Sequence, residues 1–210
     1  MTGLIYLHGF SSSPCGNKGT FTWRWAEERG ILFHAPDLNL PTFESLTLTA
    51  QVDAVEALLR SLPEPPVLVG SSLGGFIATA VAHRSAAIRS MILLAPAIHF
   101  ARRRMISPSW AGYRKRGEME VFHHGVGSPM RLGPELLRDL PDWMDDDQWR
   151  IPVPTVILHG RLDEAVPLAE SEAYRERNPG TVLHTLEDDH GLLGPASLDC
   201  LRAALEAAFS

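Results

Sequence analysis

Two cysteines in 210 residues, Cys15 and Cys200, are too few for a disulfide framework and show no metal-ligand spacing. They predict a protein of the reducing cytoplasm. Positive charge is also short. With 19 Lys and Arg against 25 Asp and Glu, the formal net charge is −6. That balance argues against a nucleic-acid partner, which usually meets a basic surface. No apolar run approaches the length of a membrane span. Residues 1–8 lack a basic n-region and a cleavage site, and predict a strand rather than a signal peptide. Internal repeats and low-complexity tracts are missing as well. What remains is an ordinary globular composition, 45% hydrophobic and 21% charged. It predicts one domain over 1–210 with a full hydrophobic core.

The chain is organised around Val67-Leu68-Val69-Gly70-Ser71-Ser72-Leu73-Gly74-Gly75-Phe76. An apolar run turns through G-x-S-x-G, centred on Ser72, into a segment at 77–82 that suits a buried helix. A nucleophile on so tight a strand-to-helix turn needs small neighbours, and Gly70 and Gly74 supply them. The helix that follows points free N–H groups at the site. The Leu73 N–H is then placed to bind an oxyanion formed when Ser72 attacks a carbonyl.

Around this turn the pattern alternates strand and helix. Apolar runs at 4–7, 31–35, 67–71, 90–95, 155–159 and 181–186 read as strands. Segments at 20–29, 49–62, 168–177 and 197–208 read as helices. This order implies right-handed crossovers, and so a three-layer α/β/α sandwich on a mostly parallel sheet of about six strands. One stretch breaks the alternation. Residues 96–150 hold Trp110, Tyr113, Phe122, Trp143 and Trp149, a basic run from 102 to 116 and an acidic run at Asp145-Asp146-Asp147. They predict a small, mostly helical lid inserted between the fourth and fifth strands.

A serine nucleophile needs a base, and the base needs an orienting acid. His159-Gly160-Arg161-Leu162-Asp163-Glu164 follows the fifth strand, and Glu187-Asp188-Asp189-His190-Gly191 follows the sixth. Asp163 and His190 are the expected acid and base, with Glu164, Asp188 and Asp189 as rival acids. His8-Gly9-Phe10 closes the first strand, and the Phe10 N–H is the expected second oxyanion donor. His8 and His159 read as loop-structuring hydrogen-bonders. The pair His123-His124 has no ligand spacing, and no metal is expected. From the insertion, Trp110, Tyr113, Phe122 and Met119 are expected to line an acyl pocket. The basic run reads first as a solvated face and second as a contact for an anionic substrate.

Together these motifs resemble the α/β-hydrolase superfamily over nearly the whole chain. The Gly-Ser-Ser-Leu-Gly-Gly-Phe form and the short length resemble small bacterial carboxylesterases and the related acyl-protein thioesterase branch. The resemblance implies a cofactor-free serine hydrolase that cleaves carboxylic esters or thioesters of small to medium acyl groups. Its substrate would be a small molecule or an acylated protein, and the chain a monomer or small homo-oligomer. It also implies that two leading strands of the usual eight-stranded sheet are absent. Carbon–carbon bond hydrolysis, perhydrolysis and a non-catalytic ligand-binding role stand as alternatives. Haloalkane dehalogenation is disfavoured, because its nucleophile is a carboxylate and the turn carries Ser72.

Overall fold

A computed structural model describes residues 2–85, 87–145 and 149–210. Most of the acidic run at Asp145-Asp146-Asp147 therefore lies outside the described residues. Strands β1 (Leu4–Leu7), β2 (Phe33–His34), β3 (Val67–Ser71) and β4 (Ser90–Leu94) come first in the chain. After a two-stranded hairpin of β5 (Met119–His123) and β6 (Ser128–Leu132), β7 (Thr155–Gly160) and β8 (Val182–Leu186) complete the sheet. The sheet has six strands in the order β2-β1-β3-β4-β7-β8, every pair parallel.

Alternation along the strands builds two cores. Ile5, Leu7, Leu68, Met91, Leu93 and Ile157 point to one face. Their neighbours Leu4, Tyr6, Val69, Ile92, Leu94 and Leu158 point to the other. Helices α2 (Leu48–Ser61), α3 (Leu73–Arg84) and α7 (Leu168–Arg177) cover the first face, with Val52, Val55, Phe76, Ile77 and Tyr174 packed inward. Helices α1 (Asn17–Glu27) and α8 (Pro195–Phe209) bring Trp25, Ala26, Leu201 and Leu205 to the second. Burial of both faces explains why these strands read as continuous apolar runs. Helix α1 starts earlier than the expected residue 20, because Gly19 is a helical residue there rather than a turn. A Cβ at Gly19 would strike the Pro14 carbonyl.

Strand order reverses between β1 and β3, since β2 lies outside β1 on one edge and the later strands run out from β3 to the other. Such a switch point opens a crevice at the carboxyl ends of the strands. The loops after β1 and β3 face each other across it, and those after β4, β7 and β8 follow on one side.

Between β4 and β7 the insertion contains α4 (Phe100–Ile106), a short 3-10 turn at Pro108–Trp110 and α5 (Ala111–Arg116). The β5–β6 hairpin, α6 (Glu135–Asp139) and a second 3-10 turn at Leu140–Trp143 complete it. The expected mostly helical segment thus includes an antiparallel hairpin, which pairs Phe122 with Pro129 and His123 with Ser128. The insertion is fastened to the body by polar bonds. Asp139 Oδ2 accepts from the Leu48 and Thr49 N–H groups at 2.6 and 3.1 Å, capping the start of α2. The Trp143 indole donates to Thr49 Oγ1 at 3.1 Å.

Candidate active site

Ser72 has φ 55° and ψ −115°, outside even the left-handed helical well. Its neighbours explain how the chain tolerates this. A Cβ at Gly74 would collide with the Leu7 carbonyl, and one at Gly70 would sit 2.5 Å from the Gly74 carbonyl oxygen. The strand and helix pass so close only because both positions lack a side chain. Ser11, Ala95 and Leu192 also have positive φ. All four non-glycine residues of this kind among the described residues therefore lie in turns beyond the carboxyl ends of β1, β3, β4 and β8. Strain of this sort costs about 1–3 kcal/mol per residue and gathers at functional sites.

Asp163, His190 and Ser72 come together from the turns after β7, β8 and β3. His190 Nδ1 donates to Asp163 Oδ2 at 2.7 Å, and His190 Nε2 lies 3.1 Å from Ser72 Oγ. The carboxylate fixes the tautomer, so Nε2 carries the lone pair and faces Ser72 Oγ. The Asp163 side chain is fully enclosed. Its Oδ1 accepts from the Ala165 and Val166 N–H groups, both at 2.8 Å. Burial alone would raise its pKa, but hydrogen bonds from His159, His190 and the Val166 N–H outweigh it and hold the carboxyl well below the usual range.

Two of the rival acids, Asp188 and Asp189, are engaged elsewhere. Asp188 accepts from Ser197 Oγ and from the Gly194 and Asp189 N–H groups, at 2.6, 2.8 and 2.8 Å. Asp189 Oδ1 accepts from the Gly191 N–H at 2.7 Å. Both shape the turn that presents His190.

The other histidines divide by setting. His8 Nδ1 donates to the Gly9 carbonyl at 2.8 Å, and its Nε2 accepts from the Leu38 N–H at 2.9 Å. Burial pushes its pKa down, so it stays neutral and braces the loop after β1. His159 is wholly buried, with Nδ1 2.7 Å from Ser171 Oγ and Nε2 3.0 Å from the Val166 carbonyl. Its Nε2 also lies 3.3 Å from Asp163 Oδ2. Both neighbours of Nε2 are acceptors, so Nε2 carries the proton and Nδ1 accepts from Ser171. His159 therefore braces its loop and also holds the carboxylate, a second duty that the His-Gly pair at a strand end did not reveal.

The two expected oxyanion donors flank this constellation. A Cβ at Gly9 would lie 3.4 Å from Ser72 Cβ, so the loop after β1 passes directly over the serine. Among the described residues, neither the Phe10 N–H nor the Leu73 N–H has a hydrogen-bond partner.

A cavity of about 800 Å³ opens over Ser72 and His190. Phe10, Phe100, Arg104, Lys18 and His124 are among the side chains on its wall. The expected lining residues are placed otherwise. Trp110 and Tyr113 are 5% and 1% exposed and lie behind the wall. Trp110 packs edge-on against Phe100 and Tyr113, and 5.9 Å from the Phe10 ring. Tyr113 donates to the Gly133 carbonyl at 2.5 Å. Phe122 is 52% exposed on the hairpin, against the His124 ring. Met119 packs against the core beside these elements. Which ring faces the cavity depends on how the insertion docks.

This placement changes the expected effect of truncation. Trp110→Ala should cost about 3–5 kcal/mol of stability, as large aromatic deletions in a core do. Phe122→Ala should change stability by less than about 0.5 kcal/mol. Denaturant unfolding of both variants checks this, and equal losses would contradict the packing described.

Comparison with solved structures places this fold among the α/β-hydrolases. A candidate hydrolase from Agrobacterium vitis S4 matches at TM-score 0.86 and 25% identity, over 100% of this chain and 88% of that one. Est1E from Butyrivibrio proteoclasticus, solved with ferulic acid bound, matches at 0.82 and 20%, over 99% and 87%. Alpha/beta hydrolase domain-containing protein 10 from mouse matches at 0.80 and 21%, over 99% and 89%. A family model covers residues 3–194. By that match the chain belongs to UPF0227, described as an uncharacterised protein family, and its fold is that of the α/β-hydrolases.

Proposed function

We propose that the protein is a serine hydrolase that cleaves carboxylic esters or thioesters of small to medium acyl groups through an acyl-enzyme. The observation that carries this reading is the continuous path from Asp163 through His190 to Ser72, with links of 2.7 and 3.1 Å, on a strained strand-to-helix turn.

In this reading His190 Nε2 removes the Ser72 proton as Oγ attacks the carbonyl carbon. The carbonyl oxygen becomes an oxyanion held by the Phe10 and Leu73 N–H groups. Collapse of the tetrahedral intermediate breaks the bond to the alcohol or thiol, which leaves with the proton from His190. Water then attacks the acyl-enzyme, His190 takes its proton, and the acid departs with Ser72 restored. No cofactor enters any step.

The insertion supports a role as a cover over the acyl pocket, since Phe100, Arg104 and His124 bring it to the cavity wall. The two cysteines are free thiols, which is in keeping with a cytoplasmic setting. No helix among the described residues is long and apolar enough to cross a membrane.

The test is a panel of acyl esters and matching thioesters of graded chain length. Turnover that falls off with chain length is the expected result. No turnover of any member, with the protein folded, would overturn the reading.

A further inference from the structure

The charge on the cavity wall is lopsided in a way that a neutral ester does not require. Lys18, Arg103 and Arg104 face the cavity, and no aspartate or glutamate among the described residues lines it. This occurs in a chain whose acidic side chains outnumber its basic ones by 25 to 19.

Two of the three cations are already engaged. Arg103 binds Glu170 Oε1 at 2.9 Å and the Ala165 carbonyl at 2.7 Å. Lys18 donates to the His190 carbonyl at 3.3 Å and lies in the field of Asp163, Asp189 and Asp188.

Arg104 differs. Its guanidinium lies 4.6 Å from the Trp110 ring centroid, 5.1 Å from Phe100 and 5.9 Å from Phe10. Among the described residues, its Nε is buried without a hydrogen-bond partner. Glu170 is close enough to act on it, but that carboxylate is held by Arg103 and by the His99 N–H at 2.9 Å. Burial pushes the Arg104 pKa down to about 10, with the charge of Arg103 adding to the effect. Aromatic faces repay part of the cost of burying a cation, but they leave its fork of donors unfilled. Phe10 ties this group to the chemistry, since its ring centroid lies 5.9 Å from the guanidinium while its N–H is the proposed oxyanion donor.

We propose that Arg104 recognises an anionic substrate, an ester or thioester that carries a carboxylate a few atoms from the scissile carbonyl. The inference rests on the serine-hydrolase reading for the reaction, and it deepens that reading by naming the substrate class. One unpaired guanidinium balances one negative charge and matches the flat geometry of a carboxylate. A phosphate monoester brings nearly two charges and calls for a second free cation.

Two matched pairs of esters test this. 4-Acetoxybenzoate against its methyl ester puts the charge on the leaving group. The 4-nitrophenyl half-ester of adipate against its methyl ester puts it on the acyl side. In at least one pair, the charged-to-neutral ratio of kcat/KM should fall roughly tenfold or more in Arg104→Met, and less in Arg104→Lys. A ratio unchanged by Arg104→Met in both pairs overturns the proposal. Binding to Ser72→Ala, measured by calorimetry with the same compounds, needs neither turnover nor a change at Arg104. Tighter binding of a charged member than of its methyl ester supports the proposal even if Arg104→Met fails to fold. Equal binding within both pairs overturns it. A protein that binds the charged member but turns over no ester would refute the hydrolase reading and leave Arg104 as an anion site.

Discussion

Ser72→Ala should lower ester turnover by roughly 10⁴ to 10⁶ while leaving the fold intact, because loss of the nucleophile removes the covalent path altogether. The alanine keeps a Cβ and the same backbone angles, so the turn at φ 55° need not rearrange. His190 Nε2 then faces a methyl group, and general-base help to Oγ has no object. A fluorophosphonate should add its phosphonyl group to the wild-type peptide that contains Ser72 and to none in the variant. Ser71, one residue earlier, is 4% exposed. An adduct on Ser71, or turnover that survives in Ser72→Ala, would remove Ser72 from the mechanism.

Asp163→Asn should lower kcat by about 10³ to 10⁴, as loss of the correct histidine tautomer does in other triads. The surroundings of Asp163 make the exchange harsher than its size suggests. All four of its close polar neighbours are donors: two N–H groups on Oδ1, and His190 and His159 on Oδ2. An asparagine must turn its NH₂ toward one of these sides, and either choice sets donor against donor. If the amide oxygen keeps the two N–H groups, His190 loses the acceptor that orients it.

Stability should fall as well, and with a definite pH dependence. The folded-state pKa of Asp163 is depressed. The carboxylate therefore stabilises the fold above the unfolded value of about 3.9, and that contribution is lost as pH falls through the folded value. The deficit of Asp163→Asn should be largest near neutrality and narrow in acid. An activity loss under tenfold, or one matched by Asp189→Asn, would show that another acid orients His190.

The candidate site residues that the structure brings together were legible because their signals are local. Ser72 is marked by glycines two residues to either side, and Asp163 and His190 each sit just past an apolar run. Parallel strands send such positions to one edge of the sheet, so reading the strands places the chemistry. The insertion resisted the same treatment. Pro129 argues against a strand at 128–132, yet it is tolerated in a two-stranded hairpin. The turn at Gly125-Val126-Gly127 was a signal that could have found that hairpin. Which aromatics reach the cavity was not legible. Trp110 and Phe100 look alike in sequence and pack equally close to Phe10, yet Phe100 is on the cavity wall and Trp110 lies behind it. Charge was legible as a run at 102–116, but composition cannot say that Arg103 finds Glu170 while Arg104 faces the rings.

The backbone at Ser72 sets durability against activity at a single residue. Any side chain with a Cβ at φ 55° and ψ −115° is strained, and glycine alone escapes. Ser72→Gly should therefore unfold at higher denaturant than Ser72→Ala, although neither turns over substrate. A search for more robust variants of this chain would then be drawn toward glycine at the proposed nucleophile. Screens for heat resistance need an activity readout beside them, or they will select a sturdier protein that has stopped being an enzyme.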